Sequence, residues 1–141
     1  MDHVAIMGGK GKFLDAILRY EKTIESRWYK RKIDPWNNIS PGDNIYFKNS
    51  CKLITAKAKV DDVKFFELYK DHKIGLDILK KYGKQILIDR KYYNENCADK
   101  NYCILVFLKD IKEITPFDID KTGFGNAAAW LTIKDINQIK A

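Results

Sequence analysis

Long apolar runs are missing from this chain of 141 residues. A membrane-crossing helix needs about 18 or more consecutive apolar residues, and no stretch comes near that. No basic-then-apolar leader opens the sequence, so a cytoplasmic protein is expected. Cysteine is scarce and odd in number: Cys51, Cys97 and Cys103 are the three, with no Cys-x-x-Cys pair. That excludes a disulfide framework and fits a reduced compartment. Histidine is scarcer still. His3 and His72 stand at no metal-site spacing with the cysteines, so no metal and no cofactor is expected. Acidic residues are outnumbered, 19 against 26 Lys and Arg, which leaves a formal net charge of +7.

That excess, with an isoelectric point near 9.2, raises the local concentration of polyanions around the protein. It also fits a surface that simply uses Lys everywhere, and composition does not separate the two. Hydrophobic residues make up 45% and charged residues 32%, the balance of a soluble globular protein. The length suits one domain spanning 1–141, with a real core and no need of staples.

The order of patterns predicts strands interrupted by two helices. His3 to Met7 reads as a short strand, and Phe13, Leu14, Ile17 and Leu18 recur at helical spacing. Thr23 to Tyr29 is rich in β-branched and aromatic residues and reads as a strand. Its alternation places Thr23, Glu25, Arg27 and Tyr29 on one face and Ile24, Ser26 and Trp28 on the other. Ser40-Pro41-Gly42-Asp43 is a turn leading into a strand from Asn44 to Lys48. From Leu53 to Phe66, Ile54, Ala56, Ala58 and Val60 alternate with Thr55, Lys57 and Lys59, as in a half-buried antiparallel strand. Ile74, Ile78, Leu79 and Tyr82 predict a second helix ending near Gly83. Asn94 to Asn101 reads as a loop. Tyr102 to Leu108 is apolar on both alternations and reads as a central strand, with Cys103 a buried thiol. A further short strand is expected from Pro116-Phe117-Asp118-Ile119, and Gly123 and Gly125 allow a tight loop before Trp130-Leu131. The expected core includes Phe13, Ile17, Ile54, Val60, Ile104 and Val106.

The stretch Lys22-Thr23-Ile24-Glu25-Ser26-Arg27-Trp28-Tyr29-Lys30-Arg31-Lys32 carries the strongest chemical signal. It sets one carboxylate among cations and aromatics. Cations suit phosphate, aromatic faces suit nucleobases, and a carboxylate accepts from base or sugar groups. Arg27 offers a planar fork and Lys22 a mobile ammonium. Glu25 and Arg27 also fit a plain surface ion pair worth little stability. Trp28 and Trp130 fit the core, whereas Trp36, on a linker, is expected at a rim with Tyr29. Gly8-Gly9-Lys10-Gly11-Lys12 lies between a strand and a helix, where backbone amides can cradle phosphate. It lacks the spacing and the Ser or Thr of a nucleotide-triphosphate loop. Lys10 and Lys12 are therefore expected on a basic turn near a ligand, or on a plain connection.

Lys22-Thr23-Ile24-Glu25-Ser26-Arg27 resembles the Gly-x-Lys-x-x-Glu-x-Arg signature of ASCH domains, members of the PUA-like superfamily. The likeness continues through Pro41-Gly42-Asp43-Asn44-Ile45, the strand Ile54 to Val60, Pro116-Phe117 and the closing Trp130-Leu131, and so covers nearly the whole chain. Tyr20 stands where the family has glycine. The resemblance implies an α+β fold, a mainly antiparallel PUA-like barrel flanked by about two or more helices, with the signature in a cleft. It also implies binding of RNA or modified nucleotides. One branch, the N4-acetylcytidine amidohydrolases, carries Lys-Thr-Ile-Thr-x-Arg here. This chain keeps Lys22, Thr23, Ile24 and Arg27 but has Glu25 in place of a threonine of that branch's catalytic set.

Two functions from different classes follow. In a binding module for RNA or a nucleotide, Lys22 and Arg27 hold phosphate or a base edge and Glu25 accepts from a base or ribose. An aromatic stacks, and lysines 30, 32, 57 and 59 extend a positive rim. In a hydrolase acting on a modified nucleoside or on RNA, a partly desolvated Lys22 is nucleophile or base, Glu25 moves protons and Arg27 stabilises an oxyanion. A protein-interaction domain whose cleft has lost its ligand is the third and plainest reading.

Overall fold

The computed structural model, which describes residues 1–141, contains six strands and three α-helices. In chain order they are β1 (Asp2–Met7), α1 (Lys12–Leu18), β2 (Ile24–Tyr29), β3 (Asn44–Asn49), β4 (Ile54–Glu67), α2 (Ile74–Ile86), α3 (Arg90–Asn96), β5 (Tyr102–Phe117) and β6 (Trp130–Ile133). The strands form one sheet in the order β2-β5-β4-β3-β1-β6. Every neighbouring pair is antiparallel except β1 with β3, which the intervening α1 and β2 separate in sequence. The architecture is the expected α+β, mainly antiparallel barrel, here a curled half-barrel.

Curling follows from the two long strands. The pairing of β4 with β5 slips at Ile54/Ala56, Lys57/Lys59 and Val60/Asp62. Each slip is an irregularity of the bulge kind, which bends a strand and raises its twist. The inward row of β4 is sealed, with Ile54, Ala56, Ala58 and Val60 buried and the intervening Thr55, Lys57 and Lys59 half-exposed. Leu14 and Ile17 of α1 close one end of the core beside Phe47, Ile104 and Val106. Burying one such side chain contributes roughly 1.5–3 kcal/mol. Of the expected core, only Phe13 is not fully buried; it packs on the cluster from outside.

Three local expectations are corrected. Helix α2 continues past Gly83 to Ile86, because Ile78, Tyr82 and Ile86 extend one apolar stripe and Leu87, at φ 61°, takes the left-handed cap. Residues 90–96 are helical, since the Asp89 carboxylate accepts from the Tyr92 amide at 2.8 Å and caps the first turn. Pro116 and Phe117 belong to the end of β5 and do not open a strand of their own.

The turn at residues 40–43 fastens β1. Gly42 sits at φ 93°, and the Asp43 carboxylate accepts from the Ser40 amide at 3.1 Å, the chain N-terminus at 3.3 Å and His3 Nε2 at 2.8 Å. The indole of Trp130 donates to His3 Nδ1 at 3.1 Å. An indole N–H can only donate, so the imidazole proton lies on Nε2, towards Asp43. Burial, opposed by Asp43, holds His3 below its ordinary 6.5. The unfolded chain therefore takes up this proton at a higher pH than the native one. Stability from this group is complete above 6.5 and falls as pH drops below it. Urea unfolding midpoints measured from pH 7.5 to 5.5 are expected to fall, and the fall should shrink in His3→Gln. An equal fall in the variant would remove His3 from the account.

Candidate functional site

The turn from α1 into β2 delivers Lys22. Tyr20 occupies the left-handed region at φ 60°, a conformation that favours glycine, and its hydroxyl donates to the Ile111 carbonyl at 2.7 Å. The turn thus keeps a glycine-like path although a tyrosine stands there. Lys22 follows, only 2% exposed. Its Nζ donates to the carbonyls of Ile24 at 2.9 Å and Ile86 at 2.7 Å, and lies 3.2 Å from Glu25 Oε1. An ammonium has three N–H bonds, and three acceptors surround this one. The Phe13 ring covers it, 5.5 Å from Nζ to the ring centre. Burial pulls its pKa down and Glu25 opposes the shift.

Glu25 is 4% exposed and sits between two cations. Arg27 approaches Glu25 Oε2 through Nη2 at 2.9 Å and Nε at 3.2 Å. Burial alone would raise the pKa of the carboxyl. Lys22 and Arg27 together outweigh burial and hold it below the ordinary range, so Glu25 is a carboxylate at neutral pH. Arg27 is itself held above its ordinary value in spite of burial, chiefly by Glu25. Its fork also reaches across the open seam of the sheet. Nη2 donates to the Ile6 carbonyl at 3.3 Å and Nη1 to the Ala129 carbonyl at 3.2 Å, with the guanidinium 5.1 Å over the Trp130 ring. The Tyr29 hydroxyl also lies beside the guanidinium.

These groups floor a cleft of about 440 Å³, within the usual range for small-ligand sites. One wall is the edge of β2, with Ser26, Trp28 and Tyr29. A second is the end of β1 and its turn, with Met7 and the backbones of Gly8 and Gly9. The third, α3 and the chain after it, brings Tyr92, Asn96, Cys97 and Lys100. Phe13 and Tyr92 meet edge to face at 5.8 Å, and the Trp28 indole donates to Ser26 Oγ at 3.0 Å. Gly9 is required here: it sits at φ 71°, and a Cβ would approach the Phe13 ring to 2.8 Å. Burial pushes the Cys97 thiol up to about 12, so it is not a thiolate nucleophile at neutral pH. No three His, Cys, Asp or Glu side chains gather as a metal site would need, and no helix is long and apolar enough to cross a membrane.

Lys22, Glu25, Arg27 and Tyr29 thus share one cavity. Trp36 lies elsewhere, packed edge-on against Phe65 at 5.3 Å and Tyr102 at 5.0 Å. The Lys10 and Lys12 side chains do not line the cleft, although the backbone of their turn does; Lys12 borders a neighbouring depression. Lys30 pairs with Asp99 at 3.4 Å, Lys32 covers Trp36 and Tyr102, and Lys57 and Lys59 lie on another part of the surface. Sequence reading missed Asn96 because it took Asn94–Asn101 for loop, and it singled out neither Tyr92 nor Lys100. Asp89, three residues before Tyr92, was the available signal of a helix start.

No family model matches the sequence, and no curated protein matches it. Solved structures do. The ASCH protein from Zymomonas mobilis superposes with a TM-score of 0.70, at 16% identity, over 97% of this chain and 91% of its own. A tyrosine-to-phenylalanine variant of it gives 0.71 at 15% identity, over 97% and 93%. A serine-to-alanine variant gives 0.72 at 16% identity, over 97% and 91%. At such identity the likeness establishes the fold: this chain has the fold of ASCH domains.

Proposed function

We propose that this ASCH-fold chain is a binding module for RNA or a nucleotide, with one base held in the cleft over Glu25 and Arg27. The observation that carries the reading is a desolvated carboxylate, kept ionised by two cations, on the floor of an aromatic-walled cavity. Glu25 accepts from base or ribose donors, and the planar Arg27 guanidinium presents its edge to a neighbouring acceptor. Phe13, Trp28 and Tyr92 supply apolar faces. Two cations against one carboxylate leave the floor with a net positive charge, and Lys100, paired with Asp99 at 3.4 Å, stands at the rim. Phosphate is then attracted from the solvent side. Lys22 acts here by holding Glu25, since all its donors face the protein.

The hydrolase reading asks more of Lys22. A nucleophilic amine needs a free lone pair, whereas this ammonium is surrounded by three acceptors and capped by Phe13. Binding is therefore preferred. The direct test titrates the protein with ribonucleoside 5′-monophosphates and short single-stranded RNA. Tyr92→Ala and Lys100→Gln leave the buried triad intact. Tyr92→Ala is expected to weaken binding by about 5- to 150-fold, the effect of roughly 1–3 kcal/mol per stacked base. Arg27→Ala should weaken it too and flatten its salt dependence. Unchanged affinity in all three variants would overturn the reading. Acetylated cytidine and RNA should remain chemically intact on long incubation; turnover that vanishes in a folded Lys22→Ala variant would install the hydrolase instead.

A further inference from the structure

A second depression of about 520 Å³ adjoins the cleft and shares Phe13, Ile88 and Tyr92 with it. The Phe13–Tyr92 pair is thus a partition with a cavity on either side. The charges on the two sides differ in kind. In the cleft, the ammonium of Lys22 and the guanidinium of Arg27 are committed to Glu25 and to backbone carbonyls. In the depression, Lys12 and Lys84 are exposed and have no carboxylate within ion-pair distance. The carboxylates nearby are already occupied. Glu21 receives both Nε and Nη2 of Arg19 at 3.2 Å, and Asp89 caps α3. The same Phe13 ring carries Lys22 Nζ at 5.5 Å and Lys12 Nζ at 5.7 Å. Buried, paired cations therefore lie on one side of an aromatic wall, and exposed, unpaired ones on the other.

We propose that the ligand is a single-stranded oligonucleotide that crosses this partition, with one base in the cleft and the phosphate of the adjoining nucleotide over Lys12 and Lys84. The inference rests on the binding role given to the cleft and specifies its substrate class: a strand, not a free nucleotide. A base can enter the cleft only if it leaves a stack, which a single strand allows at little cost. The aromatic edge between the chambers is where the chain turns from one nucleotide to the next, and stacking there tolerates any sequence. Unpaired lysines supply affinity by releasing counterions, without choosing a base.

The experiment compares the four ribonucleoside 5′-monophosphates with the matching trinucleotides across a range of salt, by calorimetry and fluorescence anisotropy. It uses the full chain and the Lys12→Gln/Lys84→Gln double variant. Both lysines are exposed, so the variant is expected to keep its fold, which circular dichroism checks. Wild-type protein should bind a trinucleotide about tenfold or more tightly than its monophosphate at low salt. The double variant should lose that advantage. Its log–log salt slope should be shallower by about 0.7, the value for one phosphate contact on a single strand. Monophosphate affinity should stay within about twofold. Equal affinity for the two ligands, or an unchanged slope in the double variant, overturns the two-chamber inference and leaves the cleft's binding role standing. Wild-type protein that binds neither ligand overturns both.

Discussion

Replacing Glu25 with alanine is expected to lower the unfolding free energy by about 3–5 kcal/mol, because it leaves two buried cations facing each other with no countercharge. Lys22 is 2% exposed and Glu25 4%, so solvent screening does not soften the effect as it would for a surface pair. In a domain of this size the loss corresponds to a fall in melting temperature of roughly 10–20 °C. Glu25→Gln should cost less, because the amide oxygen still accepts while the charge is gone. A combined Lys22→Met, Glu25→Leu, Arg27→Met variant should lie closer to the wild type than Glu25→Ala does, since no uncompensated charge remains in it. The pH dependence provides an independent check. The carboxyl of Glu25 is held below its ordinary value of 4.5. Its contribution is therefore complete above 4.5 and disappears as pH falls through the lower native value. Wild type and Glu25→Ala should converge in acid and diverge at neutrality. Urea curves at pH 7 that differ by less than about 1 kcal/mol would mean that water reaches the triad.

What could be read from the sequence was governed by the range of the interaction concerned. Alternation along Ile54–Val60 and the stripe through Ile17 report which side of a strand or helix meets the core, and both were legible because burial repeats with the element's own period. The pairing of Glu25 with Arg27 was legible for the same reason, as residues two apart on a strand share a face. The surroundings of Lys22 were not. Its acceptors include the Ile86 carbonyl, at the end of α2 and 64 residues away, and no local pattern announces such a contact. Trp36 was misjudged because a linker says nothing about what it crosses; here it crosses Phe65 and Tyr102. The far wall of the cleft was hidden in a polar segment. Arg90–Asn96 lacks a long apolar stripe, and only its capping aspartate marks it as helix.

The triad joins fold and site. Lys22 ties β2 to the end of α2, and Arg27 ties β2 to β1 and to the chain entering β6, so the residues that floor the cleft also hold its walls in place. Such a floor is preorganised. A ligand need not order it, which removes part of the entropic cost of binding.

Arg27→Lys separates the charge of this floor from its geometry. Strands β2 and β6 are the two ends of the sheet order, and no ladder joins them. The guanidinium spans that seam, meeting Glu25, the Ile6 carbonyl and the Ala129 carbonyl from one planar group. A lysine keeps the charge beside Glu25 but cannot present a fork to three directions. Hydrogen bonds to charged groups contribute roughly 1.5–3 kcal/mol each, and the ammonium recovers only part of them, so a loss of about 2–3 kcal/mol is expected in urea unfolding. The loss should be uneven in space. The Ile6 amide, which donates to the Ala129 carbonyl at 2.9 Å, should exchange with solvent faster, whereas the amides between β4 and β5 should change no more than global stability requires. Ligand affinity should fall by about tenfold or more, because the planar fork is lost even though the charge is kept. Stability within about 0.5 kcal/mol of wild type, with binding unchanged, would show that a cation suffices at this position and that the fork is incidental. The opposite result would mean that the arginine is present for its shape, and that the seam of the barrel and the recognition of a base depend on the same five N–H groups.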